Sequence, residues 1–166
     1  MPRVGLLTAL ACVALAPASA RDSLGIFEGW GAFRDPSVPR CYAIAVPRPS
    51  ARSSELDAYA TVGTWPRRNV RGQVHFRLSR FLREGSAVRL AIGRERFALT
   101  GGGGDAWAAD RRMDAAIVAA MRSASRMTVS ATAANGRRFT DSYALAGAAS
   151  AMDAATVGCA RNTRSR

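Results

Sequence analysis

The side chains best suited to chemistry are a single histidine, His75, and two cysteines, Cys41 and Cys159, beyond the first twenty residues. One pair of cysteines in an exported chain allows one intramolecular disulfide. A metal site would need more soft ligands than His75 can add, and no CxxC motif is present for thiol–disulfide exchange. We therefore expect a structural Cys41–Cys159 disulfide, with no metal site and no cofactor.

The motifs of common enzymes do not occur around these residues. No nucleophile elbow, HExxH motif or second histidine accompanies His75, so that side chain is expected to lie exposed or packed on a sheet. The run Gly101–Gly104 lacks the lysine of a phosphate-binding loop, since the chain contains none, and is expected to form a hairpin connection. These observations favour a protein that is not an enzyme.

Two aspartates of the predicted helix at 110–124 and three tryptophans leave an alternative function open. Asp110 and Asp114 lie among arginines and predict a capped, salt-bridged helix end. Core or rim packing is expected of the tryptophans. Trp65 and Trp107 could instead stack on a sugar beside a carboxylate such as Asp110, which is the alternative hypothesis of a small periplasmic hydrolase or carbohydrate-binding module.

The charge of the chain points to an anionic partner. The formal net charge is +12, and all of its basic residues are arginine. Such a chain attracts polyanions and anionic lipid surfaces. The candidate anion-binding residues are the doublets Arg67, Arg68, Arg137 and Arg138. The expected partners are anionic lipid, lipopolysaccharide or an envelope protein, and no nucleic acid is expected.

The first twenty residues have the pattern of a secretory signal peptide. Arg3 gives a positive start, an apolar run extends from Val4 to Leu15, and 18–20 supply small residues for cleavage near Ala20. Cleavage leaves 23 arginines against 12 acidic residues, a net charge of +11. We expect a periplasmic, secreted or cell-surface bacterial protein with no transmembrane segment in the mature chain. Lipoprotein processing at Cys12 is the less favoured interpretation.

The elements that must position these residues are mostly strands. Period-two alternation and turn residues predict strands at 26–33, 41–46, 59–65, 73–78, 88–92, 97–99, 127–132 and 138–145. Helices are expected at 110–124 and 148–157, and Asn135-Gly136 predicts a type I′ hairpin turn. Short connections favour a mainly β (α+β) fold, an antiparallel β-sandwich or barrel-like core with one or two short helices packed alongside. The expected organisation is one domain over 21–160, followed by a flexible basic tail at 161–166.

Several motifs in this order resemble one known family. They are Trp30 shortly before Cys41-Tyr42, the segments 106–110 and 117–122, Gly136, the run 141–147, and Cys159. In order and spacing they resemble the invasion-associated locus B proteins, small exported bacterial proteins often met as host-cell invasion factors. The resemblance spans 30–159 and is poor at 47–72. It implies a β-rich, sandwich-like domain outside the cytoplasm with no established enzymatic activity.

Together these observations predict an exported, non-enzymatic envelope protein of invasion-associated type. It would bind an anionic surface or another envelope or host component.

Overall fold

The computed structural model describes residues 21–50 and 54–162, and the chain there forms ten strands and two α-helices. The predicted signal peptide and the end of the predicted tail lie outside the described residues. The strands are β1 (Asp22–Phe27), β2 (Trp30–Asp35), β3 (Arg40–Ala45), β4 (Tyr59–Trp65), β5 (Val70–Arg77), β6 (Val88–Ile92), β7 (Glu95–Gly102), β8 (Asp105–Trp107), β9 (Arg126–Thr132) and β10 (Arg138–Ala144). The helices are α1 (Arg111–Ser123) and α2 (Ala148–Asn162), and a 3-10 turn spans Pro66–Arg68.

All strands belong to one antiparallel sheet in the order β1-β2-β3-β4-β5-β8-β7-β6-β9-β10. Strand β7 joins its two halves: Glu95–Leu99 pair with β6, and Thr100–Gly102 pair with β8. A Cβ at Gly101 would lie 2.6 Å from Val88 Cγ2, so a larger residue where the halves meet would have to displace Val88. The mainly β, antiparallel fold with two helices is confirmed.

The sheet curls so that its two halves face each other across the core. The ring of Phe76 on β5 packs 6.1 Å, between centroids, from that of Tyr143 on β10. On the outer edge of β10, the Arg48 N–H donates to the Ser142 carbonyl at 2.7 Å. The chain after β3 therefore runs beside β10 and brings the sheet close to a barrel.

The predicted alternation is confirmed in the central strands. The inward side chains of β5 and the residue after it, Val74, Phe76 and Leu78, are buried, and those at 88, 90 and 92 on β6 are buried too. Helix α1 packs Ile117 and Met121 into this core. The Asp110 carboxylate accepts the Met113 N–H at 2.8 Å, which confirms the predicted N-cap.

Helix α2 packs against β1, β2 and β3 and delivers the second cysteine. Cys41 and Cys159 are bonded, with their Cα atoms 5.7 Å apart. The predicted disulfide is confirmed, and it fastens the C-terminal helix to the third strand.

Two sequence predictions about local structure are wrong, and one strand was missed. The single strand at 26–33 is two strands, β1 and β2, because the chain turns at Glu28, whose φ is +52°. The short strand β8 was not predicted. In the β9–β10 hairpin Gly136 has a φ of +79° but Asn135 is not in the left-handed region, and the Gly136 N–H donates to Ala133. The connection is thus a type I turn with a following left-handed glycine, not a type I′ turn.

In the described part of the chain, neither helix combines the length and the apolar character that crossing a membrane requires.

Candidate functional site

His75 lies on the outward face of β5, in a cluster of aromatic rings. Its ring stacks on Trp107 of β8 with centroids 5.2 Å apart, and the Tyr59 ring of β4 approaches it edge-on at 5.7 Å. Antiparallel register produces this cluster, because His75 is paired with Trp107 on one side and Thr61 on the other. The expectation of a sheet-packed histidine is confirmed.

The carboxylate nearest to this cluster is Asp105. Its Oδ1 lies 2.9 Å from His75 Nε2, and its Oδ2 accepts from Arg77 Nη1 at 2.6 Å. Both oxygens therefore have basic partners. Asp105 orients the imidazole and the guanidinium within the sheet face.

The outward side chains of β3, β4, β5 and β8 line a concavity of about 480 Å³. We call it the aromatic groove and define it by Tyr42, Tyr59, Trp65, His75 and Trp107. Strand pairing places Tyr59, His75 and Trp107 towards one end and Trp65 towards the other. The structure thus brings together two of the three tryptophans, whereas Trp30 is fully buried in the core.

The Trp65 ring lies flat along the sheet because its neighbour is glycine. A Cβ at Gly63 would come within 2.6 Å of that ring. Gly63 is also paired with Tyr42 across the strands. The absence of a side chain at Gly63 therefore leaves the space that the Trp65 indole occupies.

Two arginines lie at the Trp65 end of the groove. Arg21 and Arg40 are 3.8 and 3.7 Å from the buried carboxylate of Asp35, and the Arg40 guanidinium lies 4.8 Å above the Tyr42 ring. The Ser37 hydroxyl donates to Asp35 at 2.6 Å, and this bond, the Val38 N–H and Arg40 lower the pKa of Asp35. Two guanidinium groups facing one ionised carboxylate leave this end with a positive charge.

A second concavity, of about 420 Å³, lies beside β10. We call it the arginine pocket and define it by Arg48, Arg80, Arg138 and Asp141. Arg48 comes from the segment after β3, and Arg138 begins β10. Of the predicted anion-binding residues, Arg138 alone lines this pocket.

The two predicted arginine doublets lie at opposite ends of the molecule's central strand. Arg67 and Arg68 are exposed on the 3-10 turn before β5, while Arg138 lines a pocket with Ser79, which follows β5. A strand of eight residues is about 26 Å long. The doublets therefore do not form one cluster.

Two carboxylates are used inside the protein rather than on its surface. Asp114 Oδ1 accepts the Val74 N–H at 2.8 Å, and Asp141 Oδ2 accepts the Ser79 N–H at 2.9 Å. Burial raises the pKa of both carboxyl groups. The predicted salt bridge of Asp114 at the helix end is wrong, because Asp114 lies on the same helix face as Ile117 and Met121 and turns inward.

Neither Asp110 nor the glycine run at 101–104 lines the aromatic groove. Asp110 caps α1 and does not line the aromatic groove, so it is not the carboxylate between Trp65 and Trp107 that the alternative hypothesis needs. The run at 101–104 forms the β7–β8 hairpin, as expected. Within 21–50 and 54–162, no three His, Cys, Asp or Glu side chains lie close enough together to hold a metal ion.

The alternative hypothesis correctly grouped Trp65 with Trp107, but the sequence did not indicate that Tyr42, Tyr59 and His75 complete the aromatic groove. A signal for His75 was present in its outward position between the core residues Val74 and Phe76. The sequence alone did not reveal the strand pairing that brings β8 beside β5.

Comparison with known proteins places this architecture in one family. No curated protein and no solved structure matches the chain. The family model described as "Invasion associated locus B (IalB) protein" matches residues 35–156, from the end of β2 into α2. This span contains Cys41, most of the aromatic groove and both arginine doublets. The chain therefore belongs to the invasion associated locus B family.

Proposed function

We propose that the protein is an exported, non-enzymatic binding protein of the bacterial envelope, which holds an anionic partner through its exposed arginines. Family membership supports an invasion-associated role at the level of the family. The signal-peptide pattern of 1–20 supports export to the periplasm or cell surface. Anionic lipid and lipopolysaccharide are the partners that fit this location and charge.

The observation that carries the proposal is an imbalance between acidic and basic side chains at the surface. Many of the acidic residues are already engaged. The ion pairs are Asp22 with Arg34, Asp35 with Arg21 and Arg40, Asp105 with His75 and Arg77, Glu55 with Arg80, and Asp153 with Arg122. Asp110, Asp114 and Asp141 accept backbone N–H groups.

Many arginines, in contrast, have no carboxylate partner. Exposed arginines without an ion pair to any residue of the described ranges include Arg67, Arg68, Arg71, Arg89, Arg94, Arg111, Arg112, Arg126, Arg137 and Arg138. A guanidinium keeps its charge at biological pH and can bind a phosphate or carboxylate through two parallel hydrogen bonds. The positive potential is therefore distributed over several faces rather than confined to one pocket.

The carboxylates support binding over hydrolysis. A glycosidase needs one carboxyl group free to act as acid and a second free to act as base or nucleophile. At the aromatic groove Asp35 and Asp105 are both held by basic groups. This favours a protein whose groove binds without cleaving.

Vesicle binding tests the proposal. The protein lacking residues 1–20 should bind phosphatidylglycerol vesicles and not phosphatidylcholine vesicles, and binding should weaken steeply with salt because exposed charges are screened beyond about 8 Å at physiological ionic strength. Each arginine near an anionic membrane contributes about 1 kcal/mol, and the two doublets lie at opposite ends of β5, so one doublet at a time faces the membrane. Replacing Arg67, Arg68, Arg137 and Arg138 by Gln should therefore remove about 2 kcal/mol and weaken binding about thirtyfold. Lipopolysaccharide micelles serve as the second anionic surface.

The matched control is the double variant Arg122→Gln/Asp153→Asn. It removes an exposed ion pair and leaves the net charge unchanged, so it should bind as the unmodified protein does. Binding that ignores both salt and the fourfold change would contradict the proposal.

A further inference from the structure

We propose that the aromatic groove is a second binding site, specific for a carboxylated pyranose, distinct from the exposed arginines that bind anionic surfaces. The site combines aromatic faces, polar side chains and one positively charged end. Each of these three features restricts what can occupy it.

The aromatic faces favour a ligand with flat apolar surfaces. Trp107 is 38% exposed even though its indole stacks on His75, so part of the ring is open to a ligand. Trp65, held flat over Gly63, supplies a second platform at the other end. The C–H faces of a pyranose ring bury well against such indole surfaces.

The polar groups of the groove favour a ligand rich in hydroxyls. Gln73 and Thr61 line the groove between the two tryptophans. An amide and a hydroxyl can each donate and accept, which matches neighbouring sugar hydroxyls that do both. The Thr61 hydroxyl also donates to the His75 carbonyl at 3.5 Å. A purely apolar ligand would therefore leave chiefly the Gln73 amide without partners, which costs free energy when the amide is buried.

The charge distribution of the groove favours a ligand with a negative charge. At the Trp65 end, Arg21 and Arg40 face a single carboxylate, Asp35. At the other end Asp105 is neutralised by Arg77. The groove therefore repels quaternary ammonium ligands, which aromatic cages otherwise bind, and attracts a carboxylate towards Arg40.

The size of the groove agrees with a short saccharide. A volume of about 480 Å³ lies in the range of small-molecule sites, which is about 300–1,000 Å³. One or two sugar residues fit, with the carboxylated ring at the arginine end and the next ring towards Trp107. Hexuronates of capsular or matrix glycans and the octulosonate of lipopolysaccharide share this chemistry.

Titration with small sugars tests the site, because small sugars cannot bridge distant arginines. The protein lacking residues 1–20 is titrated, by calorimetry and tryptophan fluorescence, with a hexuronate-containing disaccharide, with its neutral hexose counterpart, and with free octulosonate. We expect a Kd of about 1 mM or tighter for at least one carboxylated sugar and weaker binding of the neutral disaccharide. Which carboxylated sugar binds more tightly identifies the source of the ligand.

Variants then locate the binding. Trp107→Ala should weaken binding of the carboxylated sugar about tenfold, because the stacking face is lost. Arg40→Gln should raise the Kd of the acidic disaccharide to that of the neutral one. The control Arg137→Gln/Arg138→Gln, which changes charge outside the groove, should leave sugar binding unchanged while weakening vesicle binding. Circular dichroism establishes that each variant is folded.

Three results would overturn the inference. The first is that none of the three sugars binds up to about 10 mM. The second is that Trp107→Ala and the control Arg137→Gln/Arg138→Gln lose sugar binding equally. The third is that a nucleotide such as AMP, and not the sugars, binds in a way that depends on Trp107. Loss of vesicle binding alone leaves the groove unaffected, so failure here and failure of the proposed function are distinguishable.

Discussion

The aromatic groove and the arginine pocket are similar in volume but are built in different ways. The groove is made of outward side chains from β3, β4, β5 and β8, which are joined side by side by backbone hydrogen bonds. The arginine pocket lies at a junction, where the segment after β3 meets β10 through the hydrogen bond from the Arg48 N–H to the Ser142 carbonyl. A site within a continuous sheet keeps its shape, whereas a site at a junction depends on the few groups that hold it closed.

The largest expected effect tests the support behind the groove. Replacing both Cys41 and Cys159 by Ala removes a bond that closes a loop of 118 residues, which in the chain-entropy model lowers the free energy of unfolding by about 5 kcal/mol. Urea denaturation measures the loss. Because the bond attaches α2 to β3, amide exchange should accelerate more in β3 and β4 than in β10. Equal acceleration in all strands would show that the disulfide does not support the groove preferentially.

A smaller effect tests the junction beneath the arginine pocket. Asp141→Ala leaves the buried Ser79 N–H without its acceptor, which should lower the free energy of unfolding by about 1–3 kcal/mol. Asp141→Asn keeps an acceptor oxygen in place and is the matched control. If the two variants unfold at the same urea concentration, the bond between the halves of the sheet contributes nothing.

Because the groove is built on a continuous sheet, loss of its exposed Trp107 ring should have only a modest effect on stability. Trp107→Ala should lower the free energy of unfolding by about 1 kcal/mol, since the side chain loses its stacking on His75 but is already partly in water. Thermal unfolding measures this change. A loss comparable to that of the fully buried Trp30→Ala, about 3–5 kcal/mol, would mean that Trp107 belongs to the core and not to a binding surface.

The smallest effect is a difference in pH dependence between a buried and an exposed carboxyl group. Burial raises the pKa of Asp141 above its ordinary value of about 3.9, so its neutral form stabilises the fold at low pH and that stabilisation is lost as pH rises through the raised pKa. Asp141→Asn should therefore gain stability relative to the unmodified protein as pH increases from about 3.9. Urea midpoints of the variant and the unmodified protein, measured across the acidic pH range, show how their difference in stability changes with pH.

In the variant Asp153→Asn, the change of stability with pH, relative to the unmodified protein, should have the opposite sign. The hydrogen bond from Arg122 lowers the pKa of Asp153, so its stabilisation is present above about pH 3.9 and is lost as pH falls through the lowered pKa. This variant should lose stability relative to the unmodified protein as pH increases through that range. Slopes of the same sign for both variants would contradict the assignment of Asp141 to a buried site.

Local patterns predicted those elements whose cause is local. The alternation of Val74, Phe76 and Leu78 is decided by which face of β5 meets the core, and the cap of α1 by Asp110 alone. The turn between β1 and β2 escaped prediction because it requires a positive φ at Glu28, a residue type that does not signal one. The apolar residues around it therefore looked like one continuous strand.

The candidate site depended on information that is not local. His75 and Trp107 are brought together by pairing of β5 with β8, and β8 has only three residues. The inward turn of Asp114 was foreseeable, because Asp114, Ile117 and Met121 have the i, i+3, i+7 spacing of one helix face. Its partner, the Val74 N–H, could not be foreseen, since it belongs to a strand 40 residues earlier.

The Cys41–Cys159 bond also fixes an order of events during biosynthesis. The two cysteines are 118 residues apart, and at a synthesis rate of about 5–20 residues per second Cys159 is made roughly 6–24 s after Cys41. Throughout that interval Cys41 lacks its partner in this disulfide, and every strand from β4 to β10 is translated before Cys159 exists. A chain that carries this bond has therefore been synthesised through α2, so the disulfide marks a completed domain.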